Sequence, residues 1–249
     1  DSGVFSDQHV TLGHRRLSIV DLSFAGHQPM STKDGRYTIV FNGEIYNYID
    51  LRSSLEKYGF RFQGNSDTEV LLAGFQKFGK DVIKKLRGMW AFAIYDNMEE
   101  KLFLSRDFFG IKPLVYAHDE KGHFAFASEM KGLMEIPWIQ KTIDSVAVEL
   151  YFTLGFIPPP HTLFSSVKKM MPGEMITIDI QSKVITSEFY HFPSSQNKRS
   201  DFNSEDVDEL HTILLKSVEK HLISDVPVGL FFSGGTDSTL LALLLKELG

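Results

Sequence analysis

Two short stretches of the chain carry residue types that could do chemistry. In the first, Tyr37-Thr-Ile-Val-Phe41 runs directly into Asn42-Gly43-Glu44-Ile-Tyr-Asn47. A β-branched and aromatic run that ends in a glycine-containing turn sets backbone N–H groups and an Asn amide at the end of a buried strand, where an oxyanion can be held. An isolated Asn-Gly is more often a two-residue hairpin tip. Here the residues after Gly43 do not resume alternation, and Asn47, Asp50 and the spacing of Leu51, Leu55 and Tyr58 read as a capped helix. The pattern predicts a strand, a turn at 42–43 that is not a plain hairpin, and a helix.

In the second stretch, Val228-Gly-Leu-Phe-Phe232 precedes Ser233-Gly234-Gly235-Thr236-Asp237-Ser238, and 239–248 is helical in pattern. The apolar run reads as a buried parallel strand. A Gly-Gly turn with flanking hydroxyls at a helix N-terminus offers several N–H donors and a positive dipole end, which suits a phosphate or pyrophosphate. A tight turn that merely needs glycine is the plainer reading. The loop lacks the Lys and the spacing of a Walker A motif.

The elements around these stretches follow from periodicity. Two short β-like runs flank Gly13-His-Arg-Arg16. Ser66 and Glu69 form a capping-box pattern ahead of Val70, Leu71, Leu72 and Phe75, and a short helix is expected over 81–86. Strands are expected over 90–95 and 101–105, near 114–117, over 124–127, around 175–180 and over 184–189, with helices near 129–134 and 144–152. Pro158-Pro159-Pro160 reads as a stiff extended connector. The succession of strands and helices argues for a layered α+β domain with sheet packed on sheet. The stretch 193–200 has linker composition. After it, Ser204 can cap a helix whose buried stripe is Val207, Leu210, Leu214 and Val218.

The chain has 249 residues, 43% hydrophobic and 23% charged, enough for a real core. A formal charge of −6 without a basic run argues against a nucleic-acid surface, and no apolar stretch reaches the length of a membrane span. With no cysteine, these residues offer no disulfide and no thiol nucleophile. The nine histidines show no metal-ligand spacing. The chain starts at Asp1 and stops at Gly249 just after a helix pattern, so both ends read as cut.

The loop Ser233–Ser238 resembles the pyrophosphate loop of the N-type ATP pyrophosphatases. Set behind Arg16-Leu-Ser-Ile-Val-Asp21, Phe41-Asn-Gly-Glu-Ile-Tyr-Asn47, Ser66-Asp-Thr-Glu69, Arg106-Asp-Phe-Phe-Gly-Ile-Lys-Pro113 and Phe126-Ala-Ser-Glu129, all in family order, it makes the chain similar to the B-type glutamine-hydrolysing asparagine synthetases. That resemblance implies an α+β, four-layer αββα N-terminal-nucleophile (class II) glutaminase sandwich over 1–192. It implies a linker over 193–204 and the start of an α/β adenine-nucleotide α-hydrolase-like domain over 205–249.

The resemblance assigns Arg16 to the α-carboxylate of glutamine and Asp67 to its α-ammonium. Asn42 and Gly43 become the oxyanion hole, and Leu17, Ser18, Ile19, Val20 and Glu44 line the same pocket. Phe232, Ser233, Gly234, Gly235, Asp237 and Ser238 become the ATP site, with Mg²⁺ as its companion. Arg106, Asp107 and Lys112 are read as structural. The implied partners are glutamine, aspartate and ATP, with no nucleic acid or membrane and with a homodimer admitted, in the cytoplasm.

The family's nucleophile, an N-terminal Cys, falls upstream of Asp1, so isolated residues 1–249 are expected to lack glutaminase activity. Three other readings stay open. One is an amidotransferase or amide ligase for a cell-surface sugar acid or secondary metabolite. Another is a glutaminase-like scaffold without a nucleophile. A sugar-phosphate aminotransferase is disfavoured because it has no such loop.

Overall fold

The computed structural model of the chain describes residues 1–17, 19–190 and 203–249. Its strands are β1 (Ser2–Ser6), β2 (Thr11–Arg15), β3 (Met30–Ser31), β4 (Tyr37–Ile45), β5 (Gly88–Asp96), β6 (Lys101–Arg106), β7 (Val115–His118), β8 (Phe124–Ala127), β9 (Lys168–Lys169), β10 (Glu174–Asp179) and β11 (Ile185–Phe189). Its α-helices are α1 (Tyr48–Lys57), α2 (Asp67–Phe78), α3 (Met130–Leu133), α4 (Ser145–Leu154), α5 (Ser204–His221) and α6 (Thr236–Leu248). The helix expected over 81–86 is a 3₁₀ segment, Gly79–Lys85.

One six-stranded antiparallel sheet, ordered β11-β10-β6-β5-β4-β3, carries the domain. Successive side chains on a strand point to opposite faces, so the core clusters reveal the layers. Ile39, Phe41, Trp90, Phe92 and Ile94 join Leu51 and Leu55 of α1 and Val70, Leu71 and Phe75 of α2 in one cluster. Val40, Ala91, Ala93, Tyr95, Leu104 and Ile176, on the other face, meet Leu12 of β2 and Leu114. The β1–β2 hairpin and a three-stranded sheet, β8-β7-β9, supply that second β layer. Val115 and Ala117 of β7 then turn outward onto Leu133 of α3. Helices, sheet, sheet and helix give the four-layer αββα order. Each fully buried large side chain contributes about 1.5–3 kcal/mol, so Trp90, Phe92 and Ile94 anchor β5 at the centre.

Several local expectations are corrected. No turn interrupts β4 at 42–43: the strand continues to Ile45, with Asn42 opposite Ala91 and Gly43 opposite Trp90. A long, buried β5 offers pairing along that whole length, and this outweighs the local turn preference of Asn-Gly. Gly13, His14 and Arg15 lie inside β2 instead of between two strands, and no strand is found at 17 or at 19–20. Ser66 caps α2 through the Thr68 N–H, but Glu69 turns back to the N–H groups of Gln63 and Gly64, so the box is half closed. Pro158 to Pro160 bend into a turn closed by the His161 N–H on the Pro158 carbonyl.

In the last segment the cap of α5 is Asn203, not Ser204, with a full capping box to Asp206. None of the α5 residues is buried: Val207 and Leu210 of the expected stripe are exposed, and Leu214 and Val218 are half-buried. The strand expected over 228–232 is absent: that run has no regular structure, and Phe231 is fully exposed. A parallel strand exists only through its neighbours, and no described strand lies beside it. The linker stretch 193–200 and Ser18 fall outside the described residues.

Candidate active site

The site is built on a loop, a strand edge and a helix start. The hairpin β1–β2 ends with the Arg16 N–H on the Asp1 carbonyl, which fixes where the Arg16 side chain departs. Its guanidinium lies against Gly26, where an added Cβ would come within 2.7 Å of Arg16 Cζ. Nη2 donates to the carbonyls of Val20 (2.8 Å) and Asp21 (2.7 Å), while Nη1 is buried without a partner in the chain. Two carbonyls thus orient the fork, and the residue lines the cavity wall, where a guanidinium suits a planar anion.

Asp21, which sequence reasoning passed over, is the hub of this loop. Its backbone is left-handed at φ 55°. Its carboxylate accepts from the Ser23 N–H and hydroxyl and from the Asn65 N–H, tying the Arg16 loop to the approach of α2. Burial works against ionisation, yet the hydrogen bonds from Ser23 and Asn65 hold the Asp21 carboxyl below the usual range. The Asp21-x-Ser23 pattern of an Asx turn was the available signal.

The strand edge is the second part. Beyond Ile39, no described strand lies beside the outer side of β4, because β3 pairs only with Thr38 and Ile39. Gln28 takes the place of a neighbour: its Oε1 accepts from the Phe41 N–H (2.6 Å) and its Nε2 donates to the Phe41 carbonyl (3.2 Å). The Ile45 N–H donates to Asp67 Oδ2 (2.9 Å). In an antiparallel strand, alternate residues point their N–H groups to the same side. Gly43, midway between Phe41 and Ile45, therefore directs its N–H outward from the sheet edge. The outward-pointing N–H expected from a turn comes instead from an uninterrupted strand.

Asp67 opens α2 and is buried. Burial pushes its carboxyl up to about 6, with the neighbouring Glu44 adding to the rise, against hydrogen bonds from Ile45 and Thr68 and the charge of Arg16. Burial also raises Glu44, which Lys112 and His221 ease back. His14 sits across the same edge, its Nε2 3.0 Å from the Phe41 carbonyl, and burial lowers its pKa. In the neutral ring Nε2 carries the proton and donates, which leaves Nδ1, buried and unpartnered, as an acceptor. Alternation from the buried Leu12 would have pointed His14 inward; the sequence reading had left it bland.

One cavity of about 840 Å³ joins these groups. Arg16, Leu17, Ile19, Val20, Asn42, Gly43, Glu44 and Asp67 all line it, as do His14, Gln28 and Lys112. Arg106 and Asp107 are structural as expected. The Arg106 guanidinium holds the Lys112, Gly110 and Met170 carbonyls, and the buried Asp107 carboxylate accepts from four backbone N–H groups. Lys112, also read as structural, has its backbone anchored by Arg106 and Asp107 and in addition lines the cavity wall.

The second candidate site is an exposed loop. Gly234 is left-handed at φ 77°, Ser233 Oγ lies 3.1 Å from Ser238 Oγ, and the Ser238 hydroxyl reaches the Gly235 carbonyl. Thr236, Asp237 and Ser238 already form the first turn of α6, three residues earlier than the pattern predicted, and Phe232 is exposed. Backbone N–H groups at a 13-residue helix's N-terminus, with two hydroxyls, fit a phosphate. Among the described residues no three His, Asp or Glu side chains gather as a metal cradle.

Residues 1–191 match the glutamine amidotransferase domain family and residues 209–249 match asparagine synthase. A Bacillus subtilis relative, asparagine synthetase [glutamine-hydrolyzing] 1, is 42% identical over 98% of this chain and 38% of its own length. A Methanocaldococcus jannaschii relative, putative asparagine synthetase [glutamine-hydrolyzing] 2, is 36% identical over 99% of this chain and 51% of its own. The chain thus spans between about a third and a half of the relatives it matches. Glutamine phosphoribosylpyrophosphate amidotransferase from B. subtilis, solved with ADP and GMP, shares the fold at TM-score 0.50 and 20% identity, over 95% of this chain and 49% of that one. By its sandwich, its cavity and the match over residues 1–191, the chain belongs to the glutamine amidotransferase domain family.

Proposed function

We propose that the chain is the glutamine-binding and ATP-loop part of a glutamine-dependent asparagine synthetase. The carrying observation is that Arg16 and Asp67, 51 positions apart in sequence, face one cavity on either side of the Gly43 edge. In this reading the Arg16 guanidinium holds the glutamine α-carboxylate and Asp67 the α-ammonium. The Gly43 N–H and the Asn42 amide stabilise the oxyanion of the tetrahedral adduct. Residues 1–249 hold no thiol, so the reading requires a thiolate from sequence outside them.

The unit over 1–192 releases ammonia. The unit beginning at 205 uses ATP to adenylate the aspartate side chain, and ammonia then displaces AMP. Ser233, Gly234, Gly235, Asp237 and Ser238 cradle the phosphates, Phe232 lies toward the nucleoside, and Mg²⁺ supplies charge neutralisation through phosphate oxygens. No described helix is long and apolar enough to cross a membrane. The proposal places the enzyme in the cytoplasm, acting on small molecules.

The test gives the full-length protein amide-¹⁵N glutamine, ATP and a panel of carboxylates. Labelled asparagine and AMP with aspartate are expected; AMP formed only with another carboxylate would replace the acceptor, and no glutamate release would remove the glutamine site.

A pH dependence follows from Asp67. Only its carboxylate pairs with an ammonium, and its pKa is about 6. The KM for glutamine should be flat above pH 7 and rise toward about 10-fold per unit below 6. Stability runs the opposite way. A carboxyl raised above its unfolded value is a cost above the folded pKa, and that cost is relieved as pH falls from 6 toward 4. A KM that stays level between pH 7 and 5 would remove Asp67 from the ammonium.

A further inference from the structure

The segment that follows α5 reaches back onto the loop that orients Arg16. Ser224 folds a tight turn, its hydroxyl donating to the Val226 carbonyl and accepting from the Val226 N–H, and this turn presents Asp225. The Asp225 N–H donates to the Ile19 carbonyl (3.0 Å), and Asp225 Oδ2 accepts from the Asp21 N–H (2.7 Å). One residue therefore engages alternate residues of the loop, as a neighbouring strand would, with a carboxylate standing in for a carbonyl. Between those two anchors lies Val20. The carbonyls of Val20 and Asp21 are the pair that Arg16 Nη2 grips. The tether falls where it is needed, because Asp21 holds a left-handed backbone that non-glycine residues rarely adopt. Just before this turn His221, the last residue of α5, lays its ring on Tyr46, with centroids 3.9 Å apart.

We propose that Asp225 is a positioning residue for the glutamine pocket: it holds the backbone of 19–21, whose carbonyls orient the Arg16 guanidinium, so that Arg16 is set to meet the substrate carboxylate. Asp225 lies outside the residues that match the glutamine amidotransferase family, next to the segment leading into the Ser233 loop. Glutamine affinity is thereby set in part by the ATP-loop half of the chain. This rests on reading the cavity as the glutamine site.

The experiment compares the full-length wild-type protein with Asp225→Ala, Asp225→Ser and Asp225→Asn. For the Ala and Ser variants the KM for glutamine should rise about 10-fold, the loss of one charge-assisted hydrogen bond. The kcat at saturating glutamine, the rate with ammonia as nitrogen donor and the melting temperature should stay at wild-type values. Asparagine keeps an acceptor oxygen and should stay within about 3-fold of wild type. Lys220→Ala, which removes only the exposed pair with Asp50, should change nothing. Were the clip merely structural, the melting temperature and the ammonia-supported rate would fall with KM unmoved, and the proposal would be overturned. An unchanged KM in a normally folded Ala or Ser variant would also overturn it. A wild-type protein with no glutamine-dependent turnover would sink the functional reading itself, a distinct result.

Discussion

Replacing Arg16 with alanine in the full-length protein should raise the KM for glutamine about 100-fold or more, while the rate with ammonia stays at the wild-type value. A guanidinium–carboxylate pair in a partly buried site makes hydrogen bonds worth about 1.5–3 kcal/mol each, so losing two exceeds a factor of 100. Ammonia has no carboxylate and does not need this group. The Nη2 contacts with Val20 and Asp21 add to the effect, because removing the side chain also frees the loop from its central anchor. Lysine should rescue little: its ammonium is a point charge and cannot serve two carbonyls and a planar anion in one plane. Steady-state kinetics with the two nitrogen donors decide it. Equal losses with glutamine and ammonia would mean that Arg16 supports the fold alone.

Gly43→Ala should destabilise the protein by about 3 kcal/mol, the upper range for overpacking, and lower glutamine turnover about 100-fold. A methyl group at Gly43 would overlap the Met89 carbonyl oxygen and stand 2.8 Å from Trp90 Cα. Both are backbone atoms of β5. Trp90 cannot yield, because it is fully buried and its indole N–H is bonded to Ser105 Oγ at 3.1 Å. The strand must separate locally, and the Gly43 N–H is displaced from the position an oxyanion would need. Gly13→Ala is the matched control: its added Cβ meets nothing within 4 Å, so its melting temperature should hold or rise slightly. Thermal unfolding of both variants checks the steric argument, and a Gly43→Ala protein melting like the wild type would refute it.

The strands that were legible in the sequence are those that alternate between two packed faces. Trp90, Phe92 and Ile94 against Ala91, Ala93 and Tyr95 fixed β5 to within two residues at the start and one at the end. Where a strand's existence depends on a partner far along the chain, local pattern misled in both directions. Asn42-Gly43 looked like a turn and is a strand, because β5 pairs through it. Val228 to Phe232 looked like a strand and is not, because nothing described pairs with it.

The site divides in the same way. Arg16 and Asp67 were reached through a resemblance, since nothing local separates Arg16 from Arg15 or Asp67 from an ordinary first-turn acid, whereas Asn42-Gly43 stood out locally, though as a turn. Gln28, Asp21 and Asp225 were missed because their work is hydrogen bonding to backbone at separations of 13, 44 and 204 residues, which leaves no periodic trace.

The Gln28 amide that serves Phe41, and the Asp67 carboxylate that serves Ile45, have one more effect. A bare sheet margin is a template on which a second molecule can add its own strand, the common route to aggregation. Here two of three successive docking points along that margin are already taken by side chains. The third, at Gly43, lies in the cavity wall. A strand laid along this margin would find one free docking point where it needs a row of them, so the groups that prepare the margin for chemistry also keep it from joining copies of the protein together.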